Sequence, residues 1–376
     1  MPPPCDHTRR ALIAAIASGP LVLYAHETTK TLTPELVITL TGQALIAHDL
    51  CAVGYPGFDQ VVAEIRRGDI AMTDLETAIV TPASGAATRE GVFLHAAGVP
   101  ELACVKQMGF GALALANNHA FDFGREGVLA TLDEVRKQGL AAAGTGKNLA
   151  EAARAAHFEA NGQRIALVAM ATGKIREGGA AEDALPGVNE LRLTSLGEPD
   201  AADLDRILQS IRLASTRSDY VVAYLHNHDW REDKSVTQEW TRRFAKSTVN
   251  AGASAFFAHG APLMHGVELY RGAPLFYGLG SLIFHSRTAP GFYRHEVWQS
   301  AIVHLSYHDR KIVRIELIPV ALNEIGDDPG QQDQTRGRPR IAGGREAQAI
   351  LERLQQISAP FGTKFKIHDG HATILL

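Results

Sequence analysis

Histidine and carboxylate side chains collect at five places, each at the end of an apolar run. They are Gln43 to Asp49 with His48-Asp49; Asp74-Leu75-Glu76; Asn117-Asn118-His119 on to Asp122; His226-Asn227-His228-Asp229; and His259-Gly260-Ala261-Pro262, with His265 close behind. Imidazole, carboxylate and amide oxygen together suit zinc, manganese or iron. A divalent ion so held lowers the pKa of its water to about 7, which makes a nucleophile at neutral pH. One histidine at a strand end is usually a hydrogen-bonded structural group. Five such ends in one chain point to a shared site, because ligands of open α/β sheets gather beyond the carboxyl ends of strands. His226 and His228 alternate and can share one face. Trp230 follows them and could line a pocket or pack in the core.

Other chemistries find less support. There is no G-x-S-x-G elbow, no Walker loop and no G-x-G-x-x-G after a strand. Cys5, Cys51 and Cys104 are too few for a disulfide scaffold or a four-cysteine zinc site, and the surroundings of Cys51 and Cys104 read as core. His157, His285, His295, His304, His308, His368 and His371 read as surface or packing residues, and so does His95, the least easily placed of the set.

The clusters need elements to carry them. Leu36 to Ala47 reads as one buried strand, Phe58 to Arg67 as an amphipathic helix and Asp69 to Thr73 as a strand. Gly111 to Ala116 is a short apolar run ending in Asn117-Asn118-His119. Gly124 to Gly139 is apolar at 128, 129, 132 and 135, a helical spacing. Strands at Ile165 to Ala171, Tyr220 to Leu225 and Ser254 to Ala258 alternate with helices at Ala202 to Ser215 and Glu239 to Ala251, which argues for α/β units. Ser300 to Tyr307 and Lys311 to Val320 read as a hairpin in a mainly antiparallel sheet. A polar loop at 324–344, a helix at Arg345 to Ser358 and a hairpin turning at Asp369-Gly370 complete the chain.

Length alone gives a soft prior of two to three domains, but the 324–344 loop is the only linker candidate and leaves too little behind it for a second, so one domain over 30–376 is expected. Of 376 residues, 45% are hydrophobic and 21% charged, which excludes disordered and collagen-like classes. Lysine plus arginine is 37 and aspartate plus glutamate 41, so the net charge is 37 − 41 = −4 and gives no case for nucleic acid. Residues 1–25 read as a twin-arginine signal or an N-terminal helix, with Arg9-Arg10 before a broken apolar run too short to span a membrane. A signal would make the protein periplasmic or secreted; an N-terminal helix would leave it cytoplasmic. No other segment could span a membrane.

Taken in order, the motifs resemble the CapA family, the poly-γ-glutamate capsule biosynthesis proteins, which belong with the calcineurin-like metallophosphatases. The similarity runs from about residue 36 to 285 and rests on TGQALIAHDL, DIAMTDLETAI, ANNHAFDFG, AAAGTGKNLAEA, YVVAYLHNHDW and YRGAPLFYGLGS. The resemblance implies an α/β fold of four αββα layers, two mixed β-sheets flanked by helices, with a site for one or two divalent ions at one end. It implies Glu76, Asn118, His226 and His259 as metal ligands, His119 as proton donor and Asp122 as its orienting group. The family pattern is broken where Gln43 replaces an aspartate and Pro262 a histidine. Asp74 and Ser281 each replace an asparagine. His48, Asp49, His228 and His265 are the available substitutes, and a single-ion or altered site is expected.

The function expected first is a metal-dependent hydrolase of a phosphoester or γ-glutamyl-type amide, with His119 donating a proton and His226 and His228 helping to hold charge. Asn117, Gln43, Arg125, Trp230 and His265 would contact substrate, and Arg125, Lys147, Arg231 and Lys234 are candidates for a basic lining. The alternatives are a non-catalytic accessory of polymer synthesis or export that binds a polyanion, and a metal-dependent lyase or hydrolase of a small organic compound.

Overall fold

The computed structural model describes residues 1–2, 35–230, 233–327 and 332–376. Residues 3–34, which hold most of the candidate signal, and Arg231 lie outside them. Two mixed β-sheets carry most of the described chain from Glu35 onward. The larger, nine-stranded sheet runs in space Phe365–His368, His371–Ile374, Lys311–Leu322, Gln299–His308, Leu36–Leu40, Ile70–Asp74, Phe110–Ala114 and Ala141–Ala143. Pro339–Ile341 pairs with Lys311–Leu322 off this path. The six-stranded sheet runs Val267–Tyr270, Ala273–Phe276, Ala255–His259, Tyr220–Asn227, Gln163–Thr172 and Ala156–Ala160.

Strand alternation decides what each sheet buries. In Gln163–Thr172, Ile165, Leu167 and Ala169 share a core with Leu36, Ile38 and Leu40 of the other sheet. The intervening Ala166, Val168 and Met170 turn the other way. They pack with Ile207 and Ile211 of the helix Ala201–Ser215 and with Trp240 and Phe244 of Glu239–Asn250. On the outer side of the larger sheet, Ala71 and Leu113 meet residues of the helices Phe58–Ile65, Val99–Met108 and Gly124–Lys137. The α/β class read from sequence holds.

Three expectations change. The run read as one strand from Leu36 to Ala47 splits at Thr41-Gly42 into Leu36–Leu40 and Gln43–Leu45, and the second piece pairs with Ser281–Phe284. Gly42 sits so close to Ser300 and Leu282 that a Cβ there would lie 2.5 Å from Ser300 Oγ, so the chain crosses where no side chain fits. The late antiparallel hairpin does not form a separate sheet, because Gln299–His308 pairs with Leu36–Leu40 and joins the parallel strands. The 324–344 segment carries a short helix, Gln332–Thr335, and the edge strand Pro339–Ile341. Among the described residues no helix is long and apolar enough to cross a membrane.

Cys51 and Cys104 are not simple core thiols. They form a disulfide with a Cα separation of 5.5 Å, across 53 positions of sequence. It ties the short helix Leu50–Val53 to Val99–Met108, and neither residue type nor spacing along the chain indicated that proximity.

Candidate metal centre

The parallel strands of both sheets bring their carboxyl ends to one place. Ile70–Asp74 and Phe110–Ala114 run parallel in one sheet, Gln163–Thr172, Tyr220–Asn227 and Ala255–His259 in the other. Asp74 ends its strand fully buried, and Glu76 follows, 3% exposed. The Asn117–Asp122 turn is pinned from within. Asn117 donates through Nδ2 to Asp74 Oδ1 (3.0 Å) and to the Leu75 carbonyl (2.8 Å), and its Oδ1 accepts from the His119 N–H. Asn117 therefore builds the turn, and its amide is spent inside the protein.

That turn sets Asn118 Oδ1 2.8 Å from His226 Nε2, while Glu76 Oε1 lies 3.5 Å from the same nitrogen. His226 Nδ1 faces Asp74 Oδ2 at 3.2 Å and the Tyr224 hydroxyl at 3.1 Å. A carboxylate behind Nδ1 fixes the ring and directs Nε2 to a ligand, the usual support for a metal-binding imidazole. The His228 ring stacks on His226 at 5.0 Å, and its Nε2 lies 3.9 Å from Glu76 Oε1. One ligand atom each from Glu76, His226 and His228 falls within 4.8 Å of the others.

These residues fit a divalent cation on two counts. Glu76 Oε2 and both nitrogens of His228 are buried without a hydrogen bond, and such orphans are costly unless something binds them. Asp74, Glu76 and Asp122 are also buried together. Burial, then Asp74 and Asp122, push the Glu76 carboxyl well above the usual carboxylate range, with only Arg89 pulling it down. A cation bound there would offset the cost of ionising that buried carboxyl.

His119 stands beside this set. Its Nδ1 lies 3.0 Å from Asp122 Oδ2, and its Nε2 is 3.9 Å from Glu76 Oε1. Burial, then Arg89 and His226, lower the His119 pKa well below the ordinary histidine value, so the ring is held neutral. Asp122 also accepts the His95 N–H at 2.9 Å and pairs with Arg89 at 2.6 Å. Burial nevertheless raises its carboxyl to about 6. The edge of His95 meets His119 with centroids 4.1 Å apart. Asp74, read with Glu76 as one of the five strand-end clusters, belongs to this centre, and so do His95 and Arg89, which sequence reasoning missed as site residues. Only Asp74, in its D-L-E context, carried a local signal; His95 and Arg89 arrive from a loop.

The other candidates divide. Gln43 lines the cleft above the centre, with its Oε1 accepting the Gly260 N–H at 3.2 Å. Trp230 also lines it, against His228 at 4.2 Å. His259 pairs in register with His226, and neither of its nitrogens is hydrogen-bonded. Burial, with His226 nearby, lowers its pKa to about 3. His265 is turned away, with Nδ1 at the Thr237 hydroxyl and Nε2 donating to the Lys234 carbonyl. Asp49 is used as a helix cap, accepting from the Cys51 and Ala52 N–H groups, and the His48 ring lies tilted against His285 at 5.1 Å between centroids. Arg125 donates to the Pro186 carbonyl and reaches Glu182. Asp49, His48, Arg125 and His265 are thus not brought to Glu76. Among the basic candidates Lys234 lines the cleft, whereas Lys147 lies beside Glu151.

Such a molecule is an α/β protein with a buried carboxylate–imidazole–amide cluster where the strands of two sheets end. The chain belongs to the bacterial capsule synthesis protein PGA_cap family, whose model matches residues 37–286, the span over which the motifs resembled CapA. It is 25% identical to the uncharacterized protein y4sH of Sinorhizobium fredii, over 89% of this chain and 92% of that one. The PGA biosynthesis protein CapA of Bacillus subtilis is 29% identical over 72% of this chain and 62% of its own. A probable polyglutamine synthesis accessory protein of Mycobacterium tuberculosis is 25% identical over 73% and 71%.

Proposed function

We propose that the chain is a metal-dependent hydrolase working in capsule or polyglutamate synthesis, on a phosphoester or a γ-glutamyl-type amide. The convergence of Glu76, Asn118, His226 and His228 on one point, with orphaned buried donor atoms among them, carries this reading. We read the two core-sharing sheets and their outer helices as a metallophosphatase-type sandwich. The polymer comes from the names of the Bacillus and Mycobacterium relatives. Hydrolysis comes from the site, because fold alone does not choose a reaction.

An ion of the zinc, manganese or iron kind, when bound, supplies a water of lowered pKa and polarises the substrate. Glu76, Asn118, His226 and His228 would hold it, with His259 adjacent. Asp74 fixes the His226 ring. His119 is neutral, so its Nε2 would take the proton that the attacking water gives up and pass it to the leaving oxygen or nitrogen, while Asp122 holds Nδ1 and steadies the charged form. Asp122→Asn should therefore lower turnover and leave metal content unchanged. The Cys51–Cys104 disulfide supports a place in an oxidising compartment, outside the cytosol.

Elemental analysis of the purified full chain tests the reading. One or two equivalents of metal in the wild type, lost in Glu76→Ala and His226→Ala, are expected. A wild type that takes up no zinc, manganese or iron would hand the lead to a polymer-binding accessory role.

A further inference from the structure

Beyond the metal centre, the same cleft, of about 340 Å³, holds two cations, Lys174 and Lys234. Lys174 Nζ lies 5.1 Å and Lys234 Nζ 5.2 Å from the centroid of the Trp230 ring. Among the described residues neither ammonium has a carboxylate partner within ion-pair distance, whereas Arg89, the other cation lining the cleft, is matched by Asp122. We propose that Lys174, Trp230 and Lys234 form a clamp for an oxyanion of the substrate, a carboxylate or a phosphate, one aromatic ring away from His228.

The clamp is built rather than incidental. Lys174 has φ of 54°, in the left-handed region that a lysine rarely adopts. It follows Gly173, also left-handed at 71°, which packs so closely that a Cβ would lie 2.7 Å from the His228 carbonyl carbon. The turn after Gln163–Thr172 is thereby locked to the strand end that carries His228, and the His228 N–H donates to the Thr172 carbonyl at 2.8 Å. Lys234 is held from the other side, by His265 Nε2 donating to its carbonyl at 2.8 Å. Trp230 contacts His228 at 4.2 Å between centroids, so an anion between the ammonium groups sits beside the centre and not on it. Burial, and after it the charge of Lys234, lower the Lys174 pKa. An anion relieves that repulsion, and charge-assisted hydrogen bonds from both sides would fix its orientation. Across the cleft, Phe93 and Phe292 are 46% and 59% exposed, an apolar rim along which the rest of a chain-like substrate can lie.

Only the word substrate rests on the hydrolase reading; the clamp itself does not. Isothermal titration of the purified full chain at low salt, with glutarate, inorganic phosphate and neutral glutaramide as probes, tests it. The wild type should bind at least one anion and not glutaramide. Lys174→Met/Lys234→Met should weaken that binding by about tenfold or more, at unchanged melting temperature and metal content. Preference for glutarate identifies a carboxylate, and preference for phosphate a phosphate group. Equal anion affinity in wild type and double variant, equal binding of glutaramide and glutarate, or no anion binding by the wild type would each overturn the clamp. Loss of anion binding in Glu76→Gln alone would place the anion at the metal centre and also overturn it. If the wild type holds no metal but the double variant still loses the anion, the hydrolase reading fails and the clamp stands.

Discussion

Glu76, His226 and His228 make one tight group of metal-type ligands; Asp49, Cys51 and Cys104 make another. By residue type the second is the better zinc site, since thiolates bind zinc strongly. Yet its donor atoms are consumed locally. The Asp49 carboxylate accepts two backbone N–H groups of the helix it caps, and the two sulfurs bond to each other. In the first group Glu76 Oε2 and both His228 nitrogens are buried with no hydrogen-bond partner among the described residues. Availability of lone pairs, more than ligand type, separates a binding centre from a structural joint.

The comparison can be broken by metal content. Glu76→Ala or His226→Ala should abolish stoichiometric metal and reduce turnover at least a hundredfold, an order of magnitude set by removing a ligand of a water-activating ion. Asp49→Ala should leave the metal content at the wild-type value. Metal lost from Asp49→Ala and kept by Glu76→Ala would reverse the two roles.

At the structural joint the effect should fall on stability. Cys104→Ser should cost about 2–4 kcal/mol, the usual worth of a disulfide closing a loop of this size, read as a lower denaturation midpoint with metal content intact. Reductant should shift the wild type the same way and leave Cys104→Ser unmoved.

His285 sharpens the contrast with pH. Burial, with His48 and Arg338 nearby, lowers its pKa to about 3, and the Ala47 N–H donates to its Nδ1. The unfolded chain, with an ordinary histidine pKa of about 6.5, takes up a proton that the fold refuses. Stability is thus complete above about 6.5 and is lost as pH falls from there toward about 3. His285→Asn, which can still accept from Ala47, should flatten that slope in melting curves recorded across this range. An unchanged slope would assign the acid sensitivity to other buried histidines.

The smallest effect expected is that of the cap. Asp49→Ala should cost about 1 kcal/mol, as for other N-caps, seen as a modest fall in melting temperature. A larger loss would mean that Asp49 also braces the disulfide.

Much of the centre was legible because it is written in short local runs. Apolar strands ended by D-L-E, N-N-H or H-N-H announce a strand end with ligands on it, and parallel pairing brings such ends together. His95 and Arg89 were not legible. They lie between Thr88 and Gly98, outside any apolar periodicity, and reach His119 and Asp122 only through the loop's path. His48-Asp49 looked like a site for the converse reason: the residue types were right, and a four-residue helix that takes up the carboxylate leaves little pattern.

By itself, then, the sequence determined most of the strands and helices, the α/β class and the residues able to ligate a cation, because periodicity and residue chemistry are local properties. The tertiary structure alone decided which of those side chains keep a free donor atom. Whether a carboxylate caps a helix or waits beside an imidazole, whether two cysteines 53 positions apart touch, and whether two lysines face one indole all depend on where distant segments pack. Hydrogen bonding is short-ranged and saturable, so that choice is settled only when the chain has folded.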